Sequence, residues 1–410
     1  VTTRGRSTQI LVVLALTNLV SYAARNALFT VYPDLRVRFG IDDAQIGLLQ
    51  TVFMIPHAAA TLPFGWAGDR YDRRRVIIAG VVLASLAGAA GALGHSYGGL
   101  AVSRACVGLG TAAVVPVANS ILAEIFEGPH KASRLSIFNL GLFLGGVVGF
   151  AAGSIFGFPV VVIVLAAPGL VLAAVIGNLA VPAHREPRPD TAWWRYLAQF
   201  ITRFFGEARA LLAIRTLRFI VLSTTMMAFA AGGYNAWLAE FLTREKLMTK
   251  SETNVLLALA LFGGVGGILV GGRIADWMRA RLINGRLWTV VIGMTLTIPC
   301  ASLAIELPNG PALYAAGVAT MFFISWYHAP MAASVDDLAP PGRSVAAQGL
   351  VIFTMHLFGT APSSWVVGAV SERASLHTAM WVPTIALGVA AVCMAISTTG
   401  FAADHARARA

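Results

Sequence analysis

The 410-residue sequence predicts an all-α integral membrane protein: twelve transmembrane helices in two pseudo-symmetric bundles of six. Three observations predict it. The chain is 57% hydrophobic and 12% charged, with a mean hydropathy of +0.73, whereas a soluble chain carries about 25% charged residues. Its charges are separated by uncharged runs long enough for spans of about 20 residues. Its basic residues fall mainly in every second connection between those runs.

Backbone open to lipid is not viable in hydrocarbon, so apolar runs of this length must be helices. Porin-type strands would alternate over about ten residues, and no such alternation is present. The spans read as about 9–32, 45–67, 75–94, 99–122, 133–156, 159–181, 217–242, 252–275, 287–306, 311–336, 344–370 and 376–398. Spans 5 and 6 share one run, 135–184, without Asp, Glu, Lys or Arg; the turn signal Phe156-Gly157-Phe158-Pro159 divides it. The first run continues as a full span without a small-residue cleavage site, so it reads as a span and not as a cleaved leader.

One long connection divides the chain into a six-helix bundle over 1–181, a linker over 182–216 and a second six-helix bundle over 217–410. The linker opens Pro182-Ala183-His184-Arg185-Glu186-Pro187-Arg188-Pro189, an extended segment. Trp193, Trp194, Leu197, Phe200, Ile201, Phe204 and Phe205 then recur at helical spacing, with Arg195, Arg203 and Arg209 interleaved. This pattern predicts an interfacial amphipathic helix that tethers the halves.

With the N-terminus taken as cytoplasmic, 22 basic residues fall on that side and 6 on the other; Arg25 and Arg104 lie within spans. That asymmetry follows the positive-inside rule, which puts both termini in the cytoplasm. The net charge of +11 is therefore topological, and no nucleic-acid partner is expected. Cys106, Cys300 and Cys393 all sit in apolar runs and read as small buried hydrophobes. No metal site, phosphate loop or cofactor motif is present in the pattern.

The halves echo each other. Gly65-Trp-Ala-Gly-Asp69-Arg70 ends span 2, and Gly272-Arg-Ile-Ala-Asp276-Trp277 ends span 8. Parallel six-helix repeats of this kind carry a substrate site near the bilayer midplane at the repeat interface. The turn Gly65-Trp66-Ala67-Gly68-Asp69-Arg70-Tyr71-Asp72-Arg73-Arg74-Arg75 reads as a conformational latch. Gly65 and Gly68 permit close helix contact. Asp69 suits the positive N-terminal end of a helix near Ser344. Arg73 suits an acid at the end of span 4, Glu124 or Glu127. Asp276 repeats the arrangement in the second half.

At this motif, and at Arg104-Ala-Cys-Val-Gly108-Leu-Gly110 in span 4, the sequence resembles the major facilitator superfamily. Gly47-Leu-Leu-Gln50-Thr-Val-Phe53, Gly68-Asp-Arg-Tyr-Asp-Arg-Arg and Ser133-Arg-Leu-Ser-Ile-Phe138 resemble its Spinster branch over roughly 20–155. The resemblance implies a carrier of sphingolipids or lysophospholipids, coupled to protons in some members. It also implies an Asp-Arg pair in span 1 and a Glu in span 4; Ala24-Arg25 and Thr111 stand there instead. The glycine run Gly141, Gly145, Gly146, Gly149 and Gly153 partly resembles an antiporter motif but lacks its proline, and close helix packing explains it.

Charge at mid-membrane is costly, so Arg25 and Arg104 are site candidates by default. Asn18, Tyr22, Arg25 and Phe29 share a face of span 1, and Arg104, Gly108, Thr111, Val115 and Asn119 share one of span 4. The expectation is a positively biased cavity for an anionic substrate, with Arg25 the main headgroup contact. Tyr234 on span 7, with Trp326 and Tyr327 on span 10, would supply an apolar lobe. His57, His328 and His356 are coupling candidates that titrate near neutrality.

These readings predict a monomeric secondary carrier of the bacterial cytoplasmic membrane, moving an amphiphilic, lysolipid-like anion by alternating access. A drug or organic-anion carrier of the same superfamily is the alternative, and a solute sensor or scramblase the other class. No catalytic pair or nucleophile motif points to an enzyme.

Overall fold

The computed structural model describes residues 3–126, 131–179, 181, 193–340 and 343–409. Among these residues every regular element is helical, and eleven segments are long and apolar enough to cross a membrane. The remaining span, span 10, between Pro311 and Leu338, is interrupted. Pro311–Ile324 passes through a 3-10 turn, Ser325–Tyr327, into His328–Leu338. Spans 2 to 11 match the uncharged runs in the sequence to within a few residues, while the helix of span 12, Trp381–Arg409, runs eleven residues past the predicted end at 398; span 5, Lys131–Phe156, and span 6, Val160–Gly177, part at the glycine–proline turn.

Polar caps set several ends. Asp42 accepts from the Gln45 backbone N–H at 2.7 Å while the Gln45 side chain accepts from the Asp42 N–H, starting span 2, Asp43–Arg70. Thr249 and Glu252 make the same reciprocal box at the start of span 8, Lys250–Arg279. Such boxes satisfy N–H groups that a helix start leaves unpaired. Prolines 56, 63, 168 and 299 lie inside spans, where neighbouring groups re-satisfy the freed carbonyls.

The chain divides into two compact units, Val1–Asp190 and Thr191–Ala410. In the first, span 1 packs on span 5, spans 2 and 3 on span 4, and span 3 on span 6. In the second, span 7 packs on span 11, spans 8 and 9 on span 10, and span 9 on span 12. These pairings are the same in both; span 7 also packs extensively on span 12, more than span 1 does on span 6. Each unit has its own apolar core, one around Leu14, Ile77, Val117 and Phe138 and the other around Leu217, Val290, Leu350 and Leu387. Large side chains such as Ile155, Phe262 and Ile385 are exposed by 73%, 72% and 64%; in an all-helical membrane protein these are lipid-facing positions. The amphipathic helix, Trp193–Ala213, packs as part of the second unit.

Local irregularity breaks the sequence's simple periodicity in four spans. Span 1, Thr3–Asn26, tightens into a 3-10 segment, Ala27–Thr30. Span 4 runs as Tyr97–Thr111 and Val114–Ile125 with a step at Ala112-Ala113. Span 10 has the 3-10 turn described above. Span 11 carries a π segment, Met355–Thr360, between Ser344–Thr354 and Ala361–Arg373.

The glycine run of span 5 is a packing seam. A Cβ built on Gly145 would lie 2.4 Å from the Leu19 carbonyl oxygen, one on Gly149 2.5 Å from that of Ala23, and one on Gly153 2.5 Å from that of Ala27. Gly146 points away, with its nearest neighbour at 3.8 Å. Gly149→Ala is therefore expected to cost about 1–3 kcal/mol, the typical range for overpacking, and Gly146→Ala close to nothing. Thermal unfolding of the two purified variants checks this; equal midpoints would contradict the seam.

Candidate substrate site

The site in the first unit starts from a backbone contact. A Cβ on Gly108 would lie 2.1 Å from the Phe53 carbonyl oxygen, so spans 4 and 2 touch there main chain to main chain. One turn before Gly108, Arg104 reaches across span 2. Its guanidinium carbon is 4.7 Å from the centre of the Phe53 ring, and that of Arg25, from span 1, is 5.8 Å from the same centre. Two cations from different helices thus share one buried aromatic ring. Cation–π attraction is worth about 0.5–1 kcal/mol when exposed and about 2 when desolvated.

The arginines are otherwise poorly satisfied. Arg104 is only 6% exposed, and among the described residues its Nε and Nη2 have no hydrogen-bond partner; the same holds for the buried Nε of Arg25. Among the described residues neither forms an ion pair. Backbone carbonyls, the structural alternative for Arg104, do not take up those two nitrogens. A buried donor left unpaired costs about 1–3 kcal/mol, and more when charged. This arrangement favours whatever anion can reach it.

His57 completes the group. It lies one turn after Phe53 on span 2, its ring stacked on Phe53 at 5.7 Å and 15°. Its Nδ1 is 3.1 Å from Thr111 Oγ1 and 3.2 Å from the Gly108 carbonyl. The Thr111 hydroxyl donates back to the carbonyls of Val107 and Gly108, so the network assigns Nδ1–H as the donor to Thr111. Beside them, a cavity of about 50 Å³ in the first unit is lined by Arg104 and Thr111 together with Ser21, Ser85 and Ser103.

Other residues predicted for the site are placed as follows. Tyr22 is half-buried on span 1. Asn18 is 1% exposed and donates to the Phe138 carbonyl at 3.1 Å, tying spans 1 and 5. Phe29 is 1% exposed and packs against Tyr32 and Phe150. It is a core residue and not a cavity residue, because the 3-10 segment turns it off the α-helical face of Arg25. Asn119 is half-buried beyond the step in span 4.

In the second unit, the Tyr234 hydroxyl bonds Thr384 at 2.6 Å, joining span 7 to span 12. Trp326 is 7% exposed among Phe322 and Phe323. Gly271 and Gly293 bring two helices onto it. The Tyr327 and His328 rings lie 4.0 Å apart, tilted by 32°, and His328 is exposed. His356 is half-buried within the π segment.

At the turn between spans 2 and 3, Gly65 and Gly68 face Pro116 and Val117 of span 4. Arg73, 9% exposed, donates through Nε to the Gly68 carbonyl and pairs with Glu124. The side chains of Asp69 and Arg70, and all of Glu127, lie outside the described residues. Asp276 is exposed at the end of span 8. At the N-terminus of span 11, Ser344 and Gln348 donate to Asp336 of span 10, so that helix start has a carboxylate from its own unit.

Phe53, not selected from the sequence beyond its place in the branch motif, is the hub of the site. Its one-turn spacing before His57 was the available signal.

A family model of the Major Facilitator Superfamily matches residues 14–284. The chain belongs to that superfamily. It is an all-helical, multi-pass secondary transporter, not an enzyme, and lies in the Spinster-like branch. It is 28% identical over 391 residues to spinster homolog 3 of Danio rerio, covering 89% of this chain and 77% of that protein. It is 26% identical over 390 residues to the sphingosine-1-phosphate transporter SPNS2 of Mus musculus, covering 88% and 69%. A bacterial homologue of the human lysosomal transporter Spinster, solved inward-facing and unoccupied, aligns with a TM-score of 0.80 at 19% identity over 97% of this chain and 98% of its own.

The Arg73–Glu124 pair is expected to couple in a double-mutant cycle. With both partners mostly buried, Arg73→Met and Glu124→Gln should show an interaction of about 1–3 kcal/mol in unfolding free energy; additive effects would contradict the pairing.

Proposed function

We propose that the protein carries an amphiphilic organic anion of the lysolipid kind across the bacterial cytoplasmic membrane by alternating access, with both termini cytoplasmic. The observation that carries this reading is the pair of guanidiniums on Phe53, whose Nε groups, with Nη2 of Arg104, have no acceptor among the described residues. Arg25, half-buried, is the headgroup contact; Arg104, behind the ring, adds positive field. A phosphate or carboxylate head matches the planar fork of arginine better than any neutral group does. The likeness to a sphingosine-1-phosphate transporter supports a lipid anion, and the division of 22 basic residues against 6 supports the orientation.

Transport of a lysophospholipid by liposomes containing the protein tests it. Arg25→Ala removes about one charge-assisted contact, worth 1.5–3 kcal/mol, and should lower transport by roughly ten- to a hundredfold. Arg25→Lys should recover part of it, since the charge stays but the fork is lost. Unchanged transport in Arg25→Ala overturns the assignment. Running neutral drugs and small organic anions in the same assay separates a lysolipid carrier from the alternative carrier.

His57 is the proton-coupling group in this reading. It bonds Thr111, which stands at the span 4 position where the family resemblance expects a glutamate. In pH-gradient-driven uptake, His57→Gln should abolish the response to the gradient, whereas His328→Gln and His356→Gln keep it. An equal response in all three variants ends this assignment.

A further inference from the structure

The amphipathic helix Trp193–Ala213 is not used by the transport reading above. Its apolar arc has two halves. Phe204, Ala208 and Leu211 turn toward the second unit; Ala208 and Leu211 are 6% and 1% exposed within its core. Ile201 and Phe205, next to them on the helix at 100° per residue, remain 40% and 57% exposed. On the remaining arc Arg195, Arg203 and Arg209 are all exposed, and the described helix carries one acid, Glu207. Arg215 and Arg218 are exposed at the start of span 7, just beyond it.

The depth of this helix follows from its contact with span 11. The rings of Phe204 and Phe205 lie 5.5 and 6.4 Å from that of Phe353. Phe353 is nine residues beyond Ser344, where span 11 begins, or about 13 Å along a helix rising 1.5 Å per residue. It falls inside the segment Ala346–Arg373, which is apolar enough to cross the bilayer. A helix in contact with that residue lies at the edge of the hydrocarbon, not out in water. Its exposed apolar half then faces acyl chains, and its arginines reach the headgroup layer.

We propose that this helix is a binding surface for anionic phospholipid headgroups of the cytoplasmic leaflet. Ile201 and Phe205 enter the acyl boundary, and Arg195, Arg203 and Arg209 hold the phosphates. The charge is complementary, three arginines against one glutamate, and each basic group near an anionic surface contributes about fivefold in affinity. The helix joins span 7, Arg215–Arg244, with Ile214 alone between them, and rests on span 11 just before the π segment. Headgroup binding therefore bears on two transport helices directly.

The test uses the full chain purified in detergent, with phosphatidylglycerol or phosphatidylcholine added and thermal unfolding as the readout. Symmetric nanodiscs of the two lipids repeat it with headgroups on both faces, so the outcome does not depend on the proposed orientation or substrate. Phosphatidylglycerol should raise the midpoint and phosphatidylcholine should not. The difference should collapse in roughly 1 M salt, where the screening length is about 3 Å. Changing Arg195, Arg203 and Arg209 together to Gln should leave the lipid-free midpoint in place and weaken the phosphatidylglycerol response about a hundredfold in lipid concentration. The corresponding triple Lys variant should keep it. Phe205→Ser, with every arginine intact, should also weaken it, and serves if the triple variant does not fold. Equal stabilisation by the two lipids, a wild-type response in the triple Gln variant, or loss of the response in the triple Lys variant overturns the proposal.

Discussion

The close approach of Gly108 to the Phe53 backbone fixes the first unit's chemistry. Because residue 108 has no side chain, spans 2 and 4 meet main chain to main chain. The residues one turn away on each helix are then held against the partner helix. Arg104 falls across the Phe53 ring, and Thr111 falls within hydrogen-bond reach of His57. The second unit uses the same device with the roles exchanged: a Cβ on Gly267 of span 8 would lie 2.0 Å from the Phe322 carbonyl of span 10. Without a hydrophobic force between helices in lipid, such small-residue contacts are a main source of association. Here they also set the register of polar groups.

That register explains how buried Arg104 and half-buried Arg25 persist with no carboxylate partner among the described residues. A cation in hydrocarbon needs compensation. Phe53 supplies it to both guanidiniums, and the half-buried position of Arg25 leaves part of it open to a ligand. Where the family resemblance implies acids in spans 1 and 4, this chain has Ala24 and Thr111. The local charge is therefore positive rather than paired. In the proposed reading, a site of this sign would hold an anion by interactions that a neutral solute cannot make, whatever the shape of the substrate tail.

The spans themselves were legible because a charge inside hydrocarbon is expensive, so uncharged runs mark them whatever the local helix geometry. Phe156-Gly157-Phe158-Pro159 was legible for a similar reason, since few residues make a tight turn within an apolar run. The interruptions were not legible. The step at Ala112-Ala113, the 3-10 turn at Ser325–Tyr327 and the π segment at Met355–Thr360 are local backbone departures that ideal helical periodicity does not record. Phe29 shows the consequence: ideal periodicity put it on the face of Arg25, and a 3-10 turn moved it into the core. Phe53 shows the converse. One aromatic among many in an apolar helix reads as packing until two arginines are found on its ring. Arg25 and Arg104 stood out as charges well inside their uncharged runs, whereas Glu240, Asp336 and Asp337 lie near the ends of theirs.

The most direct measurement is an experimental structure of the full chain with a bound lysophosphatidate. The account predicts its phosphate within hydrogen-bond distance of the Arg25 guanidinium, beside the Phe53 ring, with no protein carboxylate between them. A headgroup bound away from span 1, with Arg25 turned into lipid or paired with an acid, would contradict it.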